Sequence, residues 1–208
     1  MPVRQDEGMS LGGTAAYQGL ADLPTIVRQA VKLARRLSFD ASCRPEQGRL
    51  LQVLAAGRCG GVIGETGAGC GVGLGWLASG AGPGTRLLSV EADPERASAT
   101  ARLFAPHENV AVLRGDWTAL LDHAPFDLLV LDGGGAGKGE EEAVDVTAVL
   151  SVGSTVVIDD FTPAGEWPPL HRGQPDRARL RWLQHPCLLA TELRLAADLA
   201  SIVATRVR

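Results

Sequence analysis

The sequence predicts an α/β domain on an open, doubly wound and mostly parallel sheet, and three features predict it. After Arg58, short apolar runs alternate with helical stretches, which is the pattern of strand-helix-strand units. The first run passes into a glycine-rich turn, and most of the runs finish on an acid. Near the C-terminus two apolar runs, Leu188 to Leu195 and Leu199 to Val207, are separated only by Ala196 to Asp198, a spacing that makes an antiparallel pair.

Met1 to Gly13 carry Pro, Gly and mixed charge without periodicity, so residues 1–22 are expected to form a loose arm. From Leu23 the apolar residues Ile26, Val27, Ala30, Val31, Ala34 and Leu37 recur at helical spacing, with Arg28, Lys32, Arg35 and Arg36 on the other side. Pro45 and Glu46 open a second helix through about Ala56, because proline fits the first turn, where its missing N–H costs nothing. Five strands follow: Gly61 to Glu65, Arg86 to Glu91, Val110 to Asp116, Asp127 to Asp132 and Thr155 to Asp160. Helices are expected between them at Val72 to Ala78, Pro94 to Phe104, Trp117 to Leu121 and Glu140 to Leu150, and an Arg-rich helix near Asp176 to Leu183. With the C-terminal pair the sheet has seven strands. Residues 1–208 read as one domain: the arm, helices over 23–57, and the sheet with its flanking helices over 58–208.

Composition narrows the function. Twenty basic and 24 acidic side chains leave a net charge of −4, so no overall field draws the protein to nucleic acid or an anionic membrane. Cys43, Cys59, Cys70 and Cys187 form no C-x-x-C pair, which suits a reduced, cytoplasmic protein. Arg4, Asp6 and Glu7 have no apolar core behind them and make no secretory signal. The uncharged run Thr66 to Thr85 contains eight glycines and Pro83, which a membrane helix would not tolerate.

The chemistry is expected at the carboxyl ends of the strands, where an open parallel sheet holds its ligand. Glu65-Thr66-Gly67-Ala68-Gly69-Cys70-Gly71 lets the backbone turn sharply and approach a ligand closely. Glu91 ends the second strand, where a carboxylate accepts both hydroxyls of a ribose. A dinucleotide fingerprint of the form G-x-G-x-x-G would need glycine at 72 or 74, and the chain has Val72 and Leu74, which disfavours an NAD(P)-dependent oxidoreductase.

The remaining pattern, E-x-G-x-G-x-G, resembles the first motif of the class I S-adenosylmethionine-dependent methyltransferases, whose sheet is Rossmann-like. The resemblance implies that Glu65, Gly67, Gly69, Gly71, Glu91 and Ala92 bind S-adenosylmethionine, with Asp116 at the adenine amino group, Trp117 near the ring and Asp132 at the cofactor's edge. Gly115-Asp116 also reads as a strand end followed by a helix cap.

Asp132 and the pair Asp159-Asp160 end neighbouring strands, and three close carboxylates repel unless a cation neutralises them. An all-oxygen set suits Mg²⁺ or a similar divalent ion, although Asp159 and Asp160 also read as turn residues capping backbone amides. The arrangement is similar to the metal-dependent O-methyltransferases of the catechol and caffeoyl-CoA type, and resembles bacterial sugar O-methyltransferases in its Leu-Asp-Gly segment and Asp-Asp pair. The likeness runs from about Phe39 to Phe161 and takes in Arg44-Pro45-Glu46-Gln47-Gly48-Arg49-Leu50-Leu51. It implies O-methylation of a small-molecule hydroxyl with Asp132, Asp159 and Asp160 as metal ligands, Asp132 also acting in catalysis, and a homodimer. Gly133 to Gly137 stand where acceptor-site side chains are expected, so Lys138 is either a base on a mobile loop or a surface lysine beside Glu140, Glu141 and Glu142. A metal-independent methyltransferase and a cofactor-binding protein without catalysis are the alternatives that this glycine run leaves. His171, in the Thr162 to Asp176 loop, reads as a loop residue or as part of a cover over the acceptor.

Overall fold

A computed structural model describes residues 12–138 and 142–208. Helices α1 (Thr25–Arg36) and α2 (Pro45–Ala56) precede β1 (Val62–Thr66), α3 (Val72–Gly80), β2 (Arg86–Glu91), α4 (Pro94–Phe104) and β3 (Val110–Arg114). A 3-10 helix (Trp117–His123), β4 (Phe126–Leu131), α5 (Val146–Val149) and β5 (Leu150–Phe161) follow. A small hairpin of β6 (Leu170–His171) and β7 (Gln174–Pro175), then α6 (Arg177–Leu183), β8 (Leu188–Arg194) and β9 (Ala200–Arg206) complete the chain.

Seven strands form one sheet in the order β3-β2-β1-β4-β5-β9-β8. The first five are parallel, and β9 runs antiparallel to both β5 and β8. This is the doubly wound, Rossmann-like sheet expected from the alternation of apolar runs and helices. One face carries α1, α2 and α3, with Val27, Leu51, Leu74 and Trp76 packed on Leu128, Val130 and Val157. The other carries the 3-10 helix, α5 and α6, with Leu120, Val146 and Trp182 packed on Leu129, Leu131, Val156 and Ile158. Successive strand residues point to opposite faces, so a central strand covered on both sides must be apolar throughout, as Leu128 to Leu131 are.

Three expectations are corrected. Residues 12–22 are not loose where they are described: Thr14 and Tyr17 are buried, and a 3-10 turn spans Ala15–Tyr17. Tyr17 accepts a hydrogen bond from Trp76 Nε1 at 2.9 Å and donates to the Cys43 carbonyl at 2.7 Å, while Thr14 donates to the Phe39 carbonyl at 2.6 Å. The segment thereby pins the loop between α1 and α2. The helix expected over Glu140 to Leu150 is one turn, Val146–Val149, because Leu150 already pairs with Phe126 in the sheet; residues 140 and 141 lie outside the described residues. Trp117 to Leu121 form a 3-10 helix that continues to His123. Among the described residues, no helix is long and apolar enough to cross a membrane.

Candidate functional site

The direction of winding reverses between β1 and β4, which lie side by side in the middle of the sheet, and the crevice beyond their carboxyl ends is the ligand position of such a fold. The turn after β1 and the turn after β4 touch there, main chain against main chain. The Gly133 N–H donates to the Thr66 carbonyl at 2.7 Å. Thr66 Oγ1 donates to the Gly134 carbonyl at 2.9 Å and accepts from the Asp132 N–H at 3.1 Å. A Cβ on Gly67, at φ +86°, would stand 2.7 Å from Gly133 Cα, so neither residue can carry a side chain. The glycine run after Asp132 therefore has a packing cause, and the Trp117 indole lies directly against Gly134. Gly69, at φ +52°, lies under Phe39, whose Cε1 would be 2.8 Å from an added Cβ.

The acids of the crevice differ in environment. Glu65 is 2% exposed and accepts from Ser89 Oγ at 2.6 Å. Burial, with Glu91 nearby, pushes its carboxyl up to about 7. Glu91 ends β2 and accepts from the Gly69 N–H at 2.7 Å, the Asp93 N–H at 2.8 Å and Arg96 Nη2 at 2.8 Å. The Arg96 guanidinium also lies 5.0 Å over the Phe39 ring, so the loop before α2 and the start of α4 close together above Gly69. Sequence reasoning missed Phe39 and Arg96. The one local signal was an arginine on the first turn of α4, five residues after Glu91. Ala92 follows Glu91 and is exposed. Asp116 caps the 3-10 helix, accepting from the Thr118 hydroxyl and, at 2.8 Å, from the Thr118 N–H, and these bonds hold its carboxyl below the ordinary value. Its capping reading is thus present, with Trp117 half-buried beside it.

Two clefts meet at this edge. One, open to solvent, is lined by Phe39, Ser42, Cys43, Gly67 to Gly69 and Asp132. The other, also open to solvent, is lined by Cys43, Arg44, Gln47, Asp132, Asp159 and Asp160. Asp132 and Cys43 belong to both, so Asp132 stands at the junction. Burial and the three nearby Asp carboxylates push the Cys43 thiol well up, which leaves it protonated and a poor nucleophile.

One carboxylate oxygen from each of Asp132, Asp159 and Asp160 lies within 4.8 Å of the others. A regular strand would send Asp159 and Asp160 to opposite faces. Here the β5–β9 register shifts between Ile158 and Phe161, and Asp160 takes a left-handed backbone (φ +52°), so both side chains reach the edge where Asp132 ends β4. Burial first, and the neighbouring carboxylates second, push Asp132 and Asp159 well above the ordinary range. Asp159 Oδ1 is buried and accepts no hydrogen bond. Lys138 Nζ is 3.7 Å from that atom, donates to the Asp159 carbonyl and lies 4.7 Å from the Phe161 ring centre. Lys138 is therefore no surface lysine; it offsets one charge of three. The cluster fits a hard divalent cation, since its donors are all carboxylate oxygens and one of them is buried without a hydrogen bond.

A family model described as a methyltransferase domain matches residues 65–161. Solved structures share the fold. The O-methyltransferase TomG from Streptomyces achromogenes, involved in tomaymycin synthesis and solved with SAM, is 20% identical over 94% of this chain and 96% of its own, with a TM-score of 0.71. An O-methyltransferase from Bacillus cereus in complex with SAH is 18% identical over 93% and 96%, with a TM-score of 0.70. Cofactor-bound Rv0187 from MTB is 20% identical over 92% and 94%, with a TM-score of 0.71. No curated protein matches the sequence.

Proposed function

We propose, from the methyltransferase-domain match over residues 65–161 and the shared fold, that the chain is a class I S-adenosylmethionine-dependent methyltransferase, a divalent-metal-assisted O-methyltransferase acting on a small-molecule hydroxyl. One observation carries this reading: Asp132 lies at the junction of the two clefts and shares an oxygen cluster with Asp159 and Asp160. One side of that junction suits the cofactor and the other the acceptor.

On the cofactor side, Gly67 and Gly69 let the main chain come close to the methionine portion. After its bonds to Gly69, Asp93 and Arg96, Glu91 keeps about one of its four lone pairs, on Oε2, for a ribose hydroxyl. Asp116 and Trp117 border the adenine position. On the acceptor side, Asp132, Asp159 and Asp160 would hold the ion and leave positions for two acceptor oxygens. The cofactor supplies an electrophilic methyl group, and a divalent ion supplies the positive charge that makes the acceptor hydroxyl easier to deprotonate. Lys138, beside Asp159, would balance charge as an ammonium, and would serve as the proton acceptor for that hydroxyl only after giving up its own proton. Transfer in line demands that the acceptor oxygen and the methyl group face each other across the junction, and orientation of this kind is what two adjoining clefts provide. The narrow clefts and the net charge of −4 support a small acceptor rather than a nucleic acid.

Lys138 also favours a second version, metal-independent transfer, because it already sets one cation against the three acids. Chelation separates the two. With a metal, EDTA abolishes methyl transfer and leaves S-adenosylhomocysteine affinity nearly unchanged, and Asp160→Ala behaves like chelation, recovering only in part at high Mg²⁺. Transfer that survives both EDTA and triple replacement of the acids by alanine removes the metal from the mechanism.

A further inference from the structure

Gln47 has no part in the reading above, yet it is 2% exposed and lines the acid cleft from the first turn of α2. Its Oε1 accepts a hydrogen bond from Ser201 on β9, which fixes the carboxamide. Nε2 is then the free end, and it is buried without a partner. An unmade buried donor costs roughly 1–3 kcal/mol, so such a group is expected where a ligand completes it. The three acids of the same cleft offer many acceptors, but none lies within hydrogen-bond reach of Nε2. A molecule bridging the gap would meet carboxylates, with their cation, on one side and an N–H donor on the other.

The rest of the lining says what that molecule is. Among the described residues, no aromatic side chain borders the cleft. The nearby Phe161 ring is buried, with Lys138 at 4.7 Å and the Arg179 guanidinium at 4.8 Å from its centre. Arg44, at the lip, is paired with Asp198 at 2.9 Å and lies 3.6 Å from Glu46, with its buried Nε making no hydrogen bond. We propose that Gln47 is an acceptor-binding residue whose N–H₂ donates to an acceptor oxygen beside the one methylated, and that the acceptor is a compact, saturated vicinal diol. This inference rests on the O-methyl transfer reading.

Three probes test it on the full chain with Mg²⁺: cis-1,2-cyclohexanediol and methyl α-mannopyranoside as saturated diols, and catechol as the flat molecule matched in size. Binding is measured by calorimetry in the presence of S-adenosylhomocysteine, and transfer by product formation with S-adenosylmethionine. The saturated diols should bind more tightly than catechol. Q47M with S201A removes the donor and leaves no buried partner unpaired. It should raise KM for the diols about tenfold, with kcat and S-adenosylhomocysteine affinity little changed and the melting temperature equal to or above that of the parent. Q47M alone, which also lacks the donor and adds no fourth carboxyl to the cleft, should show the same rise in KM. An unchanged KM in both variants, or a fall in melting temperature without a change in KM, makes Gln47 structural and overturns its role. Tighter binding of catechol overturns the acceptor class while O-methyl transfer stands. If S-adenosylhomocysteine binds and no probe is bound or methylated, the acceptor cleft and the O-methyl reading fall together.

Discussion

Glu65→Gln should make the protein more stable at pH 8 and change little at pH 5. In the fold, Glu65 is buried beside Glu91, with one hydrogen bond from Ser89, and its carboxyl is pushed from the ordinary 4.5 up to about 7. Between those values the native state keeps a proton that the unfolded chain releases, so the native state binds more protons and stability falls as pH rises. The loss is complete above about pH 7, and the difference in pKa corresponds to about 3 kcal/mol. Glutamine keeps the shape and accepts the same bond from Ser89, but it never ionises. In a chain of this size each kcal/mol moves the melting temperature by roughly 2–4 °C, so the variant should melt about 6–12 °C above the parent at pH 8. The Glu65 charge also raises Asp132 and Asp159, so the difference between the two proteins measures Glu65 together with its coupling to these acids. Thermal and urea unfolding at pH 5 and pH 8, with divalent ions removed, give the comparison. A stability gap equal at both pH values would show that Glu65 is ionised throughout, and the reasoning from burial would fail.

Gly69→Val should abolish S-adenosylhomocysteine binding in a folded protein, because its Cβ would collide with Phe39 at a left-handed backbone; normal affinity by calorimetry would place the first motif elsewhere. Glu91→Gln should weaken S-adenosylhomocysteine by about 1.5–3 kcal/mol, the scale of a hydrogen bond to a charged group, and the same titration reads it. Arg179→Ala should destabilise the fold by about 3 kcal/mol, since it strands the buried Asp176 and the half-buried Glu192 carboxylates that Arg179 holds at 3.2 and 2.6 Å. Urea unfolding within 1 kcal/mol, roughly, of the parent would show that these acids are solvated.

Much of the architecture is written locally. The apolar stripe from Ile26 to Leu37, the Pro45 start of α2, and α4 from Pro94 to Phe104 follow from helical period and end signals within a dozen residues. The strand ends carrying Glu65, Glu91 and Asp132 follow in the same way, because a buried parallel strand must turn polar where it leaves the sheet. From these the sequence by itself determined the sheet, the position of the crevice and the acids along its rim. It also showed that the glycine spacing suits close backbone approach more than a pyrophosphate. What it could not determine was which side chains meet there. The glycines after Asp132 looked like an absence of acceptor residues, whereas Thr66, Gly67 and Trp117 show them to be the contact surface of two crossing turns. Lys138 looked exposed from its acidic neighbours and is instead docked on Asp159, and the Asp160 bulge, which brings two consecutive carboxylates to one edge, has no local signature. Phe39, Arg96 and Gln47 reach the crevice from elements far apart in sequence. Period and capping depend on neighbours along the chain, so they can be read from it. Convergence of side chains depends on how β4, β5, β9 and the first helices pack, and only the tertiary structure decides that.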